Sequence, residues 1–247
     1  GSIQGYTGYL SQPYHSPFHG DHRYRGYAAV PREDLFEQVL ALHRAGYQLA
    51  IHGNGDESIE DILDAFEAAQ DAYPREDPRM ILVHSQMARE DQVARMKALG
   101  VTPSFFSAHT WYWGDRHRDI FIGPERAAVI SPARWAQEHG LRFSSHLDTP
   151  VVPMQPLQAV WSQVFRQTYG GDVLGPEQRI DVMSALRAVT IDAAWQVFQE
   201  DNRGSLEPGK YADLVVLSGN PLEDPMAMRE LQVERTLVGG ATIYRRQ

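Results

Sequence analysis

The chain is expected to fold as an α/β protein of the parallel (β/α)₈ type, a TIM-like barrel. Three observations predict this. Short apolar runs alternate with stretches of helical period, which implies a parallel sheet with crossover helices. Three of those runs, YQLAIH (Tyr47–His52), RMILVH (Arg79–His84) and LRFSSHLD (Leu141–Asp148), end in a metal-capable side chain. In a barrel the carboxyl ends of neighbouring strands face one pocket, so donors far apart in sequence meet there. Helical stretches end at Gly46, Gly100 and Gly140, each just before a strand-like run, and Pro74 and Pro78 bracket the remaining connection.

In chain order, residues 1–31 read as a short strand near Ile3 followed by a long loop rich in Gly, Pro, Tyr and His. Pro31 suits a first helical turn, and Leu35, Phe36, Val39, Leu40 and Leu42 form a helical stripe up to Gly46. Strand 47–52 follows. Ile59, Ile62, Leu63 and Phe66 then set a helix to about Ala72, and Asp56 reads as its cap ahead of the other reading, a hydrogen-bonding residue near the site. Strand 80–84, a helix over 90–99 and strand 101–106 come next. Residues 107–124 read as a long aromatic and charged loop. Ser131-Pro132 reads as an N-cap and first-turn pair, and strand 141–147 follows Gly140. Three helices are expected near 155–168, 176–187 and 191–199, the last capped by Thr190. The tail is β-rich, with Gly239-Gly240 as a hairpin turn. The division is therefore a barrel portion, 1–204, and a β element, 205–247.

Composition excludes several function classes. With 247 residues, 43% of them hydrophobic, the chain can bury a full core. A formal net charge of −9 argues against nucleic acid and against anionic membrane surfaces. The absence of cysteine removes disulfides, thiolate metal sites and Cys nucleophiles. No apolar run is long enough to span a membrane, and residues 1–31 carry no basic region followed by an apolar one.

Imidazole nitrogen and carboxylate oxygen suit Zn²⁺, Fe²⁺, Mn²⁺ or Ni²⁺. A catalytic ion of this kind makes water a nucleophile near neutral pH, and a neighbouring carboxylate can act as general base. His52 and His84 are the candidate imidazole donors, and Asp148 is the candidate ligand and base. A lone histidine closing a strand is more often a hydrogen-bonded structural residue; two of them, with an Asp at a third strand end, bring a metal site level with that reading. His109 lies just past a strand end and reads as substrate-binding or as a polar loop residue. Trp111 and Trp113 either wall a pocket or pack on the barrel rim. His146 is a candidate partner to a ligand. His15, His19 and His22 read as solvated loop residues, and His43, His117 and His139 as surface residues. Arg116 and Arg118 are the only cations placed to favour a phosphoester substrate.

The segments LAIHGNGDESIEDIL, ILVHSQ, PSFFSAHTWYWGD, SSHLDTPV and GSLEPGKYADLVVLSGNPL, in this order, resemble the YtcJ-like (amidohydrolase 3) branch of the amidohydrolase superfamily. The opening GSIQGYTGYL resembles that family's segment at the fourth barrel strand, so the likeness runs from Gly1 to about Tyr244. It implies a metal-dependent hydrolase of C–N bonds in amides and N-substituted formamides, using metal-activated water. His52 and His84 would be the fifth- and sixth-strand ligands. Asp148 would be the eighth-strand ligand and general base, and His109 a loop residue near the substrate. The implied cofactor is a divalent metal, zinc foremost, as one or two ions in the complete protein. The family's first-strand His-x-His pair occurs nowhere here. The resemblance therefore implies the C-terminal portion of a longer protein, roughly strands four to eight with half of a small β-sandwich. An isolated portion would be inactive, and its partner would be the missing N-terminal half. A non-catalytic half-barrel with a regulatory or binding role is the alternative. A cytoplasmic location is expected, with an export signal upstream and homo-oligomerisation left open.

Overall fold

The computed structural model describes all 247 residues. Four short strands form one parallel sheet in chain order: β1 (Ala50–Gly53), β2 (Ile81–His84), β3 (Thr102–Phe105) and β4 (Ser144–Ser145). Parallel neighbours need a crossover. Helix α1 (Arg32–Arg44) precedes β1, α2 (Asp56–Ala72) joins β1 to β2, and α3 (Glu90–Leu99) joins β2 to β3. Helix α2 forms because Ile59, Ile62, Leu63, Phe66 and Ala69 recur on one face, and all five are buried. The opposite face carries acids. Arg95 of α3 reaches Glu60 at 2.8 Å and Asp64 at 2.6 Å, which ties the two crossovers together. Gly100 ends α3 in a left-handed turn (φ 68°), a conformation that a side chain disfavours. The helix stripes close over Leu82 and Phe105 of the sheet, both fully buried, to form the main core.

The residues 107–124 are helical rather than loop. They form α4 (His109–Arg116), one π-helical turn (His117–Phe121) and the start of α5 (Gly123–Ala128). The cause is tertiary. Phe121 and Ile122 are buried against Ile3, Leu10 and Tyr14 of the opening segment, and Trp111 is packed against Trp161. The opening is also different, because Ile3–Gly5 is a 3₁₀ turn and pairs with no strand. Helix α6 (Ala133–Glu138) starts after Pro132, and Ser131 adopts φ 50° without capping it. The run 141–147 shrinks to the two residues of β4, which pair only with Ser104 and Phe105.

Beyond β4 lie α7 (Pro156–Phe165), a 3₁₀ turn (Pro176–Gln178), α8 (Val182–Ala188) and α9 (Ile191–Gln196). Thr190 precedes α9, but its hydroxyl donates back to Leu186 O at 2.7 Å instead of capping it. The tail forms a separate antiparallel sheet of β5 (Leu214–Leu217), β6 (Val233–Val238) and β7 (Ala241–Arg245). Gly239 and Gly240, at φ 56° and 82°, form the two-residue hairpin. Met228, in the 3₁₀ turn before β6, is buried in the main core. No helix is long and apolar enough to cross a membrane.

Two substitutions check where the core sits. Leu82→Ala, at a fully buried position, should lower unfolding stability by about 2–5 kcal/mol in urea titrations. Leu206→Ala, where the side chain is 83% exposed, should change it by less than ~0.5 kcal/mol.

Candidate metal centre

His52 is the third residue of β1, and His84 is the last residue of β2. The register pairs His52 with Val83, and Gly53 with His84. Strict alternation would send the two imidazoles to opposite faces of the sheet. His84 and Ser85 break that alternation with left-handed backbones, φ 69° and 47°. The two rings then meet edge to face, with centroids 4.5 Å apart. Such conformations cost about 1–3 kcal/mol each for residues other than glycine and tend to mark functional positions.

A polar chain holds His84 from behind. His84 Nδ1 lies 3.0 Å from His146 Nε2, and His146 Nδ1 lies 2.9 Å from Ser104 Oγ. Ser104 Oγ meets Ser144 Oγ at 2.9 Å, and Ser144 donates to Gln196 Oε1 at 2.6 Å. Gln196 Nε2 in turn donates to Thr102 Oγ1 and Pro103 O. Because Ser144 gives its proton to Gln196, Ser104 can donate to Ser144 and accept from His146 Nδ1–H. His146 Nε2 then accepts from His84 Nδ1–H, which leaves the His84 Nε2 lone pair free for a ligand. In sequence His146 reads only as a candidate partner. Ser104, Ser144 and Gln196 carry no sequence signal, because only the sheet register brings them together.

Burial keeps these imidazoles neutral. His84 is 4% exposed, and loss of solvent, reinforced by His146 and His52, lowers its pKa to about 2. Loss of solvent likewise lowers His146 to about 4, although Asp148 opposes the shift. His52 is more open, and desolvation still lowers it against the pull of Asp148. Asp148 follows β4 in a left-handed turn, φ 53°, is exposed, and lines one cavity with His146.

The other sequence candidates separate. His109, the first residue of α4, is 2% exposed, with its ring 4.2 Å from Phe106, 5.6 Å from Trp113 and 6.0 Å from His84. Its Nδ1 has no hydrogen-bond partner, and burial drives its pKa well down. Trp111 points elsewhere. It packs edge-on to Trp161 and carries the Arg229 guanidinium at 3.8 Å. His43 and His117 are fully buried, not surface residues. The His43 Nε2 lies 2.9 Å from Tyr73 O, and the His117 Nε2 lies 3.3 Å from Gln86 and 3.4 Å from Gln4. Both owe their burial to segments distant in sequence.

No three His, Asp or Glu side chains close into a ready cage. The donor chemistry nonetheless suits a divalent ion. Two neutral imidazoles converge at adjacent strand ends, one with its tautomer set by a hydrogen-bonded partner, and a carboxylate stands at the same end of the sheet.

The amidohydrolase family model (Amidohydro_3) matches residues 1–244. The chain belongs to this family. It is 31% identical to an N-substituted formamide deformylase of Arthrobacter pascens, over 87% of this chain and 40% of that protein. It is 26% identical to YtcJ, a protein of Bacillus subtilis named as an amidohydrolase, over 99% of this chain and 45% of that one. A crystal structure of a metal-dependent hydrolase from Pyrococcus horikoshii OT3 superposes with a TM-score of 0.75 at 27% identity, covering 90% of this chain and 43% of that one. The chain thus spans less than half the length of these amidohydrolase relatives.

His117 provides a pH test. Burial lowers its pKa to about 3, whereas an unfolded histidine titrates near 6.5. Below that value the unfolded state binds the proton and the folded state refuses it. The stability that neutral His117 confers is complete above about pH 6.5 and is lost as pH falls towards 3. His117→Gln should make the acid limb of the stability profile shallower by up to ~1.4 kcal/mol per pH unit, read by urea unfolding at a series of pH values.

Proposed function

We propose that this site serves a metal-dependent hydrolase of C–N bonds in small amides, N-substituted formamides among them. The observation that carries the reading is the convergence of the His52 and His84 rings, 4.5 Å apart and both held neutral, at the sheet end that Asp148 also occupies. The likeness to the formamide deformylase supports the bond type. His52, His84 and Asp148 would hold the ion, zinc by donor type. The remaining ligands would come from the part of the relatives' length that this chain does not span.

A bound divalent ion would lower the pKa of water and polarise a carbonyl oxygen. Asp148 is exposed in a cavity it shares with His146, where it would take the proton of the attacking water. It then returns that proton to the departing nitrogen as the C–N bond breaks, giving an acid and an amine. His146 keeps the His84 ring oriented through the 3.0 Å bond. His109 is neutral and lies between Phe106 and Trp113, where it can donate one hydrogen bond to the substrate while the two aromatic rings exclude water.

The test is amine release from an N-substituted formamide by the full-length protein, with metal content measured alongside. Chelation should abolish turnover, and added zinc should restore it. Asp148→Asn should lower kcat by about 10²- to 10⁴-fold. Undiminished turnover in metal-free protein or in Asp148→Asn overturns the mechanism.

A further inference from the structure

Three consecutive residues after His52 grip the opening segment of the chain. The Asn54 side-chain amide donates to Gly1 O at 3.0 Å, and Asn54 is 3% exposed. Gly55 lies so close to Tyr9 that a Cβ there would fall 1.9 Å from the Tyr9 carbonyl oxygen. Asp56 takes the Ser11 N–H at 3.0 Å, and the Ser11 hydroxyl donates to its second oxygen. Asp56 therefore does not cap α2. Gly55 holds the cap position, and the Asp56 carboxylate is committed to residue 11. Arg89 backs that carboxylate at 3.7 Å, and Gln92 donates to the Asp56 carbonyl at 2.8 Å.

The far end of the gripped segment lies at the candidate metal centre. Gly1 and His52 line one cavity of about 240 Å³, together with Tyr9 and Tyr27. The segment is tied internally, since Gly8 N donates to Ser2 O at 3.0 Å, Ser2 N to Thr7 Oγ1 at 2.9 Å, and Tyr14 to Gly8 O at 3.0 Å. A hold at residues 9 and 11 is thus transmitted to residue 1.

We propose that Asn54, Gly55 and Asp56 form a clamp that seats residues 1–11 against His52, whose ring meets His84, making them positioning residues for that site. The same turn that follows one imidazole fixes the wall opposite it. The clamp's link to metal rests on the hydrolase reading above, while the clamp itself does not.

The experiment compares this chain with Asp56→Ala, Ser11→Ala and Asp56→Asn by amide hydrogen exchange, by diethyl pyrocarbonate modification of His84, and by zinc titration. Asp56→Ala and Ser11→Ala should speed exchange across residues 2–11 by about tenfold or more, with residues 81–105 unchanged. His84 should become modified faster in both. Asp56→Asn keeps an acceptor for the Ser11 N–H and should recover most of the protection. Zinc affinity should fall by about 10- to 100-fold in the two alanine variants. Unchanged exchange over residues 2–11 overturns the clamp. Release of that segment with His84 protection intact overturns the positioning role and leaves a plain tether. If the unaltered chain takes up no zinc, the metal reading fails, and exchange and modification still decide the clamp.

Discussion

The parallel alignment of four strands, with their carboxyl ends level, is the constraint on which the rest depends. Each crossover helix serves that alignment, which brings His52 and His84 to the ends of adjacent strands, while Asp148 sits in the turn after β4. Alignment alone would still leave His52 and His84 on opposite faces. The left-handed backbones at His84 and Ser85 correct this by turning the second imidazole towards the first. A regular strand at this point would be more relaxed and would separate the rings.

Packing then fixes the chemistry of those rings. His84 and His146 are desolvated, so protonation is costly and both remain electron-pair donors at neutral pH. A buried imidazole still needs its N–H satisfied. The chain through His146, Ser104, Ser144 and Gln196 meets that need by linking β2, β3, β4 and α9 across the sheet. The hydrogen bonds that close the sheet at β4 therefore also orient the His84 ring. Asp148 lies just beyond this network, exposed in its turn.

Much of the fold was legible in the chain because its signals are local. Helical periodicity marked α2 through Ile59 to Phe66, and Gly100 and Gly240 marked a helix end and a hairpin by the backbone they allow. The stretch 107–124 misled for a physical reason. Its aromatic and histidine residues show no clean apolar period, and it becomes helical because the opening segment and α7 cover it. The same holds for His117. Its own neighbours Arg116 and Arg118 suggest a surface, yet Gln4 and Gln86 enclose its ring.

The candidate site divides along the same line. The residues that can donate to a metal, and the places of His52 and His84 at strand ends, follow from the chain itself, because strand termini and side-chain chemistry are local properties. Which side chains assist them was settled by the folded arrangement. His146 lies behind His84, Trp111 turns to Trp161 while Trp113 stays by His109, and Asp56 leaves the helix cap to hold Ser11. Each of these outcomes depends on a partner tens of residues away, and no local period records such a pairing.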